Sequence, residues 1–166
     1  LEGSYQAGGA MKLHLGCGKR HFDGYLNCDL RDSDMDMDIR KLPFPDDSAD
    51  EIIAIHVCEH FYRHEIASVL NEWRRVLNTS GTLIVELPCL DRVLGHFMAG
   101  SPVNMTMWPL YGDPSTHKDG EPSLHKWCWS KNEFMSLLES VGFKEITEEK
   151  PHFHQPSRDM RWVCQK

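Results

Sequence analysis

The chain has 166 residues, which suits about one domain with a core of its own, and it is 40% hydrophobic and 26% charged. That composition excludes a disordered chain, and the net charge of −7, from 18 Lys and Arg against 25 Asp and Glu, argues against a nucleic-acid partner, since phosphate binding needs a basic surface. No apolar run approaches the ~20 residues of a membrane span. No basic stretch leads into an apolar one near the start, so a secretory signal is not expected and a cytoplasmic location is. The six cysteines (17, 28, 58, 89, 128 and 164) form no C-x-x-C pair, which predicts buried reduced thiols in place of a zinc ribbon or redox pair.

Residues Leu1–Ala10 are small, polar and aperiodic, and they read as a loose or added terminus before a natural start at Met11. Beyond it, a single domain is expected over 11–166. Lys12–Leu15 is a short predicted strand running into Gly16-Cys17-Gly18, Tyr25–Leu30 a second, and Met35–Ile39 a brief third. Glu51–Val57 has the Ile and Val content of a buried parallel strand. Ile66, Val69, Leu70, Trp73, Val76 and Leu77 then recur on one helical face, Asn78–Gly81 reads as a stop, and Thr82–Leu87 as the next strand. Between Pro88 and Trp129 the periodicity fails, as it does in loops that form lids or binding segments. Ser130-x-x-Glu133 reads as a capping box for a helix ending at Gly142, followed by strands over Phe143–Thr147 and Met160–Cys164. Alternating strands and helices predict an α/β fold.

The first chemical signal is the strand ending in Gly16-Cys17-Gly18. Glycine allows a sharp turn and lets a ligand approach backbone N–H groups, although a plain tight turn has the same signature. A dinucleotide fingerprint would place glycine at position 21, where this chain has His21. Asp29, at the end of the second predicted strand, can accept from both hydroxyls of a ribose. Asp38 stands before Leu42-Pro43-Phe44-Pro45, where capping a turn is the alternative to a binding role. His56, Glu59 and His60 spell H-x-x-E-H, a zinc signature that needs both histidines on one helix. Here His56 falls in a strand, so no metal site is expected, and Glu59 reads as a first-turn carboxylate.

Taken in order, Leu15-Gly16-Cys17-Gly18, Leu42-Pro43-Phe44-Pro45-Asp46-Asp47-Ser48-Ala49-Asp50, Glu59-His60 and Arg75-Val76-Leu77 to Gly81 resemble the class I S-adenosylmethionine-dependent methyltransferases. Asn78-Thr79-Ser80-Gly81 departs from that group's usual Lys-Pro-Gly-Gly turn. The resemblance implies a Rossmann-like sheet, mainly parallel with a terminal antiparallel strand, and S-adenosylmethionine as cofactor. It implies that Gly16, Cys17 and Gly18 pass under the methionine part, and that Asp29 holds the ribose with Leu30 beside the adenine. Asp38 would accept from the adenine amino group, Ile39 would pack on the ring, and His56, Val57 and His60 would close the site. The connections before the fourth strand are too short for that group's full N-terminal helices, so one sheet face is expected to be thinly covered and a homodimer or partner chain could shield it.

The acceptor segment is expected over 88–129, with His117 and His125 as candidate general bases and Asp91, Tyr111 and Asp113 behind them. Trp127 and Trp129 could stack on a sugar or anchor the following helix, while His152 and His154 read as loop residues. The implied activity is O-methylation of a small molecule or saccharide. Alternatives are methylation of nitrogen, protein or a lipid precursor, and a non-catalytic cofactor-binding accessory protein.

Overall fold

The computed structural model describes residues 10–120 and 123–166, with the side chains of 117–119 excepted. The expected loose terminus therefore lies outside the described residues apart from Ala10. Seven strands form one sheet: β1 (Lys12–Leu15), β2 (Leu26–Asp29), β3 (Met35–Asp36), β4 (Ala49–Ile55), β5 (Leu77–Pro88), β6 (Lys144–Glu149) and β7 (Asp159–Gln165). Their order is β3-β2-β1-β4-β5-β7-β6, parallel throughout except for β7, which runs antiparallel between β5 and β6. The terminal antiparallel strand thus lies beside β5, as expected.

Successive strand residues face opposite sides of the sheet, and here the two sides differ in chemistry. Leu13, Leu15, Ile52, Ala54, Leu83, Val85, Leu87, Met160 and Trp162 are buried in one core with helices α1 (Ile66–Val76) and α5 (Lys131–Val141). Trp73 of α1 is fully buried, and its indole N–H donates to the Ile39 carbonyl at 2.9 Å. The alternate positions carry His14, Asn27, Glu51, Glu86 and Arg161. Loops, not helices, cover that side: His14 stacks on Phe22 at 4.2 Å, and Phe22 meets Phe153 at 5.2 Å. No helix lies between β1 and β4 among the described residues, so the expected loss of N-terminal helices is real. Polar side chains on the uncovered side are the sequence's answer to it. No helix among the described residues is long and apolar enough to cross a membrane.

Three segments differ from the sequence reading. The third strand stops at Asp36 because Asp38 turns the chain: its Oδ1 accepts from Arg40 N at 3.0 Å, and its carbonyl accepts from Lys41 N at 3.1 Å. Residues 78–81 are a bulged start to β5 and no clean stop, since pairing jumps from Ala49–Leu77 to Glu51–Thr82. Asn78 ties that bulge down by donating to Asp50 Oδ1 at 2.6 Å. The aperiodic stretch after β5 contains helices α2 (Leu90–Met98), α3 (Val103–Thr106) and α4 (Trp108–Tyr111) and a 3-10 segment, Pro114–Asp119. Pro102 caps α3 and Pro109 sits in the first turn of α4, positions where the missing N–H costs nothing.

Candidate functional site

The carboxyl ends of β1, β2 and β4 open on one cavity of about 950 Å³, the place where open α/β sheets bind ligands. Its walls include Gly16, Gly18, Asp29, Leu30, Asp38, Ile39, His56, Val57, His60 and His125. Nine of the residues expected at the cofactor and one expected base therefore meet at a single site. Cys17 is the exception: its side chain is buried away from the cavity, with Sγ on the Gly18 carbonyl at 3.5 Å. Burial, then the nearby Asp29 charge, pushes its thiol up to about 11. The side chain of His117 lies outside the described residues.

Gly16 is required by geometry. Its φ is +67°, and a Cβ there would fall 2.5 Å from Val57 Cγ2. The loop's N–H groups are not open to a ligand, in contrast to the sequence reading. Gly16 N and Cys17 N donate to the Cys28 carbonyl at 2.8 and 3.2 Å, and Gly18 N donates to Asp29 Oδ2 at 2.7 Å. With Leu30 N donating to Oδ1 at 2.6 Å, the Asp29 carboxylate is fixed at the cavity edge, and each oxygen keeps a further lone pair. Leu30, Ile39 and Val57 add apolar wall around it. Asp38 holds the Arg40 guanidinium through Nε and Nη2, at 3.0 and 2.7 Å, and that contact keeps its carboxyl below the usual range.

Deeper in the site is a charge cluster that the sequence reading missed. His56 has a φ of +55°, rare outside glycine, at the point where β4 ends. Its Nδ1 lies 2.9 Å from Glu59 Oε1 and its Nε2 3.2 Å from Asp159 Oδ2, ion-pair contacts without hydrogen-bond alignment. Burial opposes charge on His56, but the two carboxylates outweigh it and raise the imidazole to about 9. Glu59 is fully buried, so burial would favour its neutral form; the charge of His56 overrides this and holds the carboxyl at about 2. Arg158 grips Asp159 through Nε and Nη2 at 2.6 and 3.0 Å. His154, read as a loop residue, lines the cavity and lies 4.1 Å from the His56 ring; burial and that neighbouring charge lower it to about 4. No strand pattern flags Asp159, because it precedes the apolar stretch of β7.

The segment Leu124–Trp127 clasps the turn Cys58–His60. The Glu59 carbonyl accepts from Lys126 N at 2.7 Å and Trp127 N at 3.3 Å. His60 Nδ1 contacts the Leu124 carbonyl at 3.1 Å, and His125 Nδ1 the Pro109 carbonyl at 2.9 Å. A carbonyl can only accept, so both Nδ1 atoms carry a proton, and Nε2 is the nitrogen left without a partner in these two contacts. Burial lowers the pKa of His60. Of the remaining candidates, Asp91 accepts from Lys131 N at 2.7 Å and so anchors α5; Asp113 accepts from Ser115 N at 2.8 Å at the cavity edge, and Tyr111 is exposed. Trp129 is buried against Phe134 and anchors α5, whereas Trp127 is part-exposed outside the cavity wall.

Comparison with known proteins agrees with this geometry. The family model for the methyltransferase domain matches residues 24–85. No curated protein matches the chain by sequence. Among solved structures, a protein from Pyrococcus horikoshii is 22% identical with a TM-score of 0.65, covering 97% of this chain and 84% of its own. An S-adenosylmethionine-dependent methyltransferase from Archaeoglobus fulgidus is 14% identical with a TM-score of 0.64, covering 96% of this chain and 87% of its own. Another from Thermotoga maritima is 14% identical with a TM-score of 0.63, covering 95% and 83%. At such identities the likeness is one of fold. Residues 24–85 match the methyltransferase-domain model and the whole chain shares the fold of S-adenosylmethionine-dependent methyltransferases, which together point to an enzyme of that kind with S-adenosylmethionine as cofactor.

Proposed function

We propose that the chain methylates an oxygen of a small molecule or saccharide, with S-adenosylmethionine seated between the Gly16–Gly18 loop, Asp29 and Ile39. The observation that carries the cofactor assignment is the clamped Asp29 carboxylate beside a loop where Gly16 admits no side chain. Two acceptor oxygens in fixed positions suit the paired hydroxyls of a ribose. The flat apolar surfaces of Leu30, Ile39 and Val57 suit a purine ring. Asp38 is available for the purine only in company with Arg40, so its expected contact with the amino group is shared.

When bound, the cofactor supplies a methyl group on a sulfonium centre, open to in-line attack. The chain's part is to hold donor and acceptor aligned, which by itself can account for much of the rate. An oxygen acceptor must also give up its proton. Both ring nitrogens of His56 already face carboxylates, so His56 is a fixed charge and not a base. His60 and His125 both line the same cavity with Nδ1 already engaged and Nε2 left over, and it is there that the acceptor hydroxyl is received. Transfer of labelled methyl from the cofactor to a panel of saccharides and hydroxylated small molecules tests this reading. Labelling confined to nitrogen acceptors or to protein would overturn the oxygen assignment.

A further inference from the structure

The resemblance gives His56 and His60 of the H-x-x-E-H motif a part in closing the cofactor site but gives Glu59 none. His56 pairs with Glu59 at 2.9 Å, but its other ring nitrogen faces Asp159 at 3.2 Å, so His56 has no nitrogen left for a ligand. Its place is taken by His125, carried in from the acceptor segment. One ligand atom each from Glu59, His60 and His125 lies within 4.8 Å of the others.

We infer that Glu59, His60 and His125 form a site for one divalent transition-metal cation of the zinc type, with its open coordination position facing the cavity. Two independent features point to a ligand. Glu59 is 0% exposed, and neither carboxylate oxygen receives a hydrogen bond; its charge is met on one side only, by His56. A buried carboxylate in that state is costly unless something coordinates it. Both histidines, in addition, have the outer-sphere arrangement typical of metal ligands. Each commits Nδ1–H to a backbone carbonyl, which fixes the ring and leaves Nε2 as the nitrogen free to coordinate.

Two imidazole nitrogens and one carboxylate oxygen are the protein ligands of many catalytic zinc centres, where a water or substrate oxygen completes the tetrahedron. The donor set suits zinc better than calcium or magnesium, which prefer oxygen alone. His60 and His125 both line the cavity, so the fourth ligand is drawn from it. The use of this site in catalysis rests on the methyl-transfer reading: an acceptor hydroxyl bound to the cation loses its proton more readily, and His125 then serves as a ligand in place of a base. Cation binding itself does not depend on that reading.

The test is zinc uptake by the full chain after removal of metal with a chelator, followed by calorimetry and by elemental analysis. One zinc per chain is expected. His125→Ala should weaken binding by at least ~100-fold, since even outer-sphere substitutions cost ~10–100-fold, and His60→Ala should do the same. His64→Ala, on an exposed histidine outside the cluster, should leave it unchanged. Circular dichroism of each variant guards against simple misfolding. Cobalt(II) in place of zinc should give a spectrum without a thiolate charge-transfer band. Absent zinc uptake, uptake undiminished in both His125→Ala and His60→Ala, or a thiolate band assigning the metal to a cysteine such as Cys128, would each overturn the site. Binding of S-adenosylmethionine measured on the same samples reports separately on the methyl-transfer reading.

Discussion

Gly16 brings backbone strain and side-chain packing to the same atom. A Cβ at that position meets Val57 Cγ2 at 2.5 Å, and φ is in the left-handed region. Gly16→Ala should therefore destabilise the chain by ~1–2 kcal/mol from the backbone alone, and it should push Val57 into the cavity. Adding Val57→Ala should recover the packing part while leaving the backbone part, which thermal unfolding of the single and double variants can separate. If the double variant is no better than Gly16→Ala, the contact with Val57 is not what excludes a side chain. At this scale much of the candidate site was legible. Asp29 ends β2, and Gly16, Gly18, Ile39 and Val57 follow within three residues of the carboxyl ends of β1, β3 and β4, where open α/β sheets gather ligands. Glu59, Asp159 and His154 were not legible as a group, because their partners come from β4, β7 and the loop before β7, and no spacing in the sequence records that meeting.

Elements are joined by polar contacts as well as by the core. Glu72 on α1 accepts from Leu42 N at 2.8 Å and from Arg75 Nε and Nη2 at 2.8 Å each, while Arg75 donates onward to the Phe44 carbonyl at 2.9 Å. This knot fixes the long β3–β4 connection against α1. The Arg75 guanidinium, more than any other group, holds the Glu72 carboxyl below its usual range. Because the folded pKa is lower than the unfolded one, the stabilisation is fully present above the ordinary carboxylate value of about 4.3 and is lost as pH falls through the folded value. Glu72→Gln should cost ~1–2 kcal/mol near neutral pH. The gap between variant and parent in urea unfolding should then close as pH drops below about 4. A gap that stays constant across that range would show that the charge contributes nothing. Helix α1 was readable from its apolar spacing, and α5 from Ser130, whose Oγ accepts from Glu133 N at 3.3 Å. Helices α2 to α4 were not: α2 carries Gly95 in its interior, and α3 and α4 have four residues each, α3 opening at Pro102 and α4 closing at Gly112.

For the molecule as a whole, the sheet is covered by helices on one side and by loops on the other. Strands β4 and β5 lie in the middle of the sheet, whereas β3 is a two-residue edge with both residues exposed. Hydrogen exchange should therefore be slowest in β4 and β5 and fastest in β3, with β2 between them. Uniform protection across the sheet would mean that something covers the bare side, such as a second copy of the chain. The α/β class followed from the order of strands and helices and the mainly parallel sheet from the resemblance, while the short connections before the fourth strand marked the thinly covered side.

Calorimetric titration of S-adenosylmethionine into the full chain and into its Asp29→Ala variant tests the central claim most directly. The full chain should bind, and the variant should bind at least ~10-fold more weakly, since hydrogen bonds to a charged group contribute about 1.5–3 kcal/mol each. Equal affinity in the two proteins, or tighter binding of a nicotinamide dinucleotide than of S-adenosylmethionine, would contradict the account.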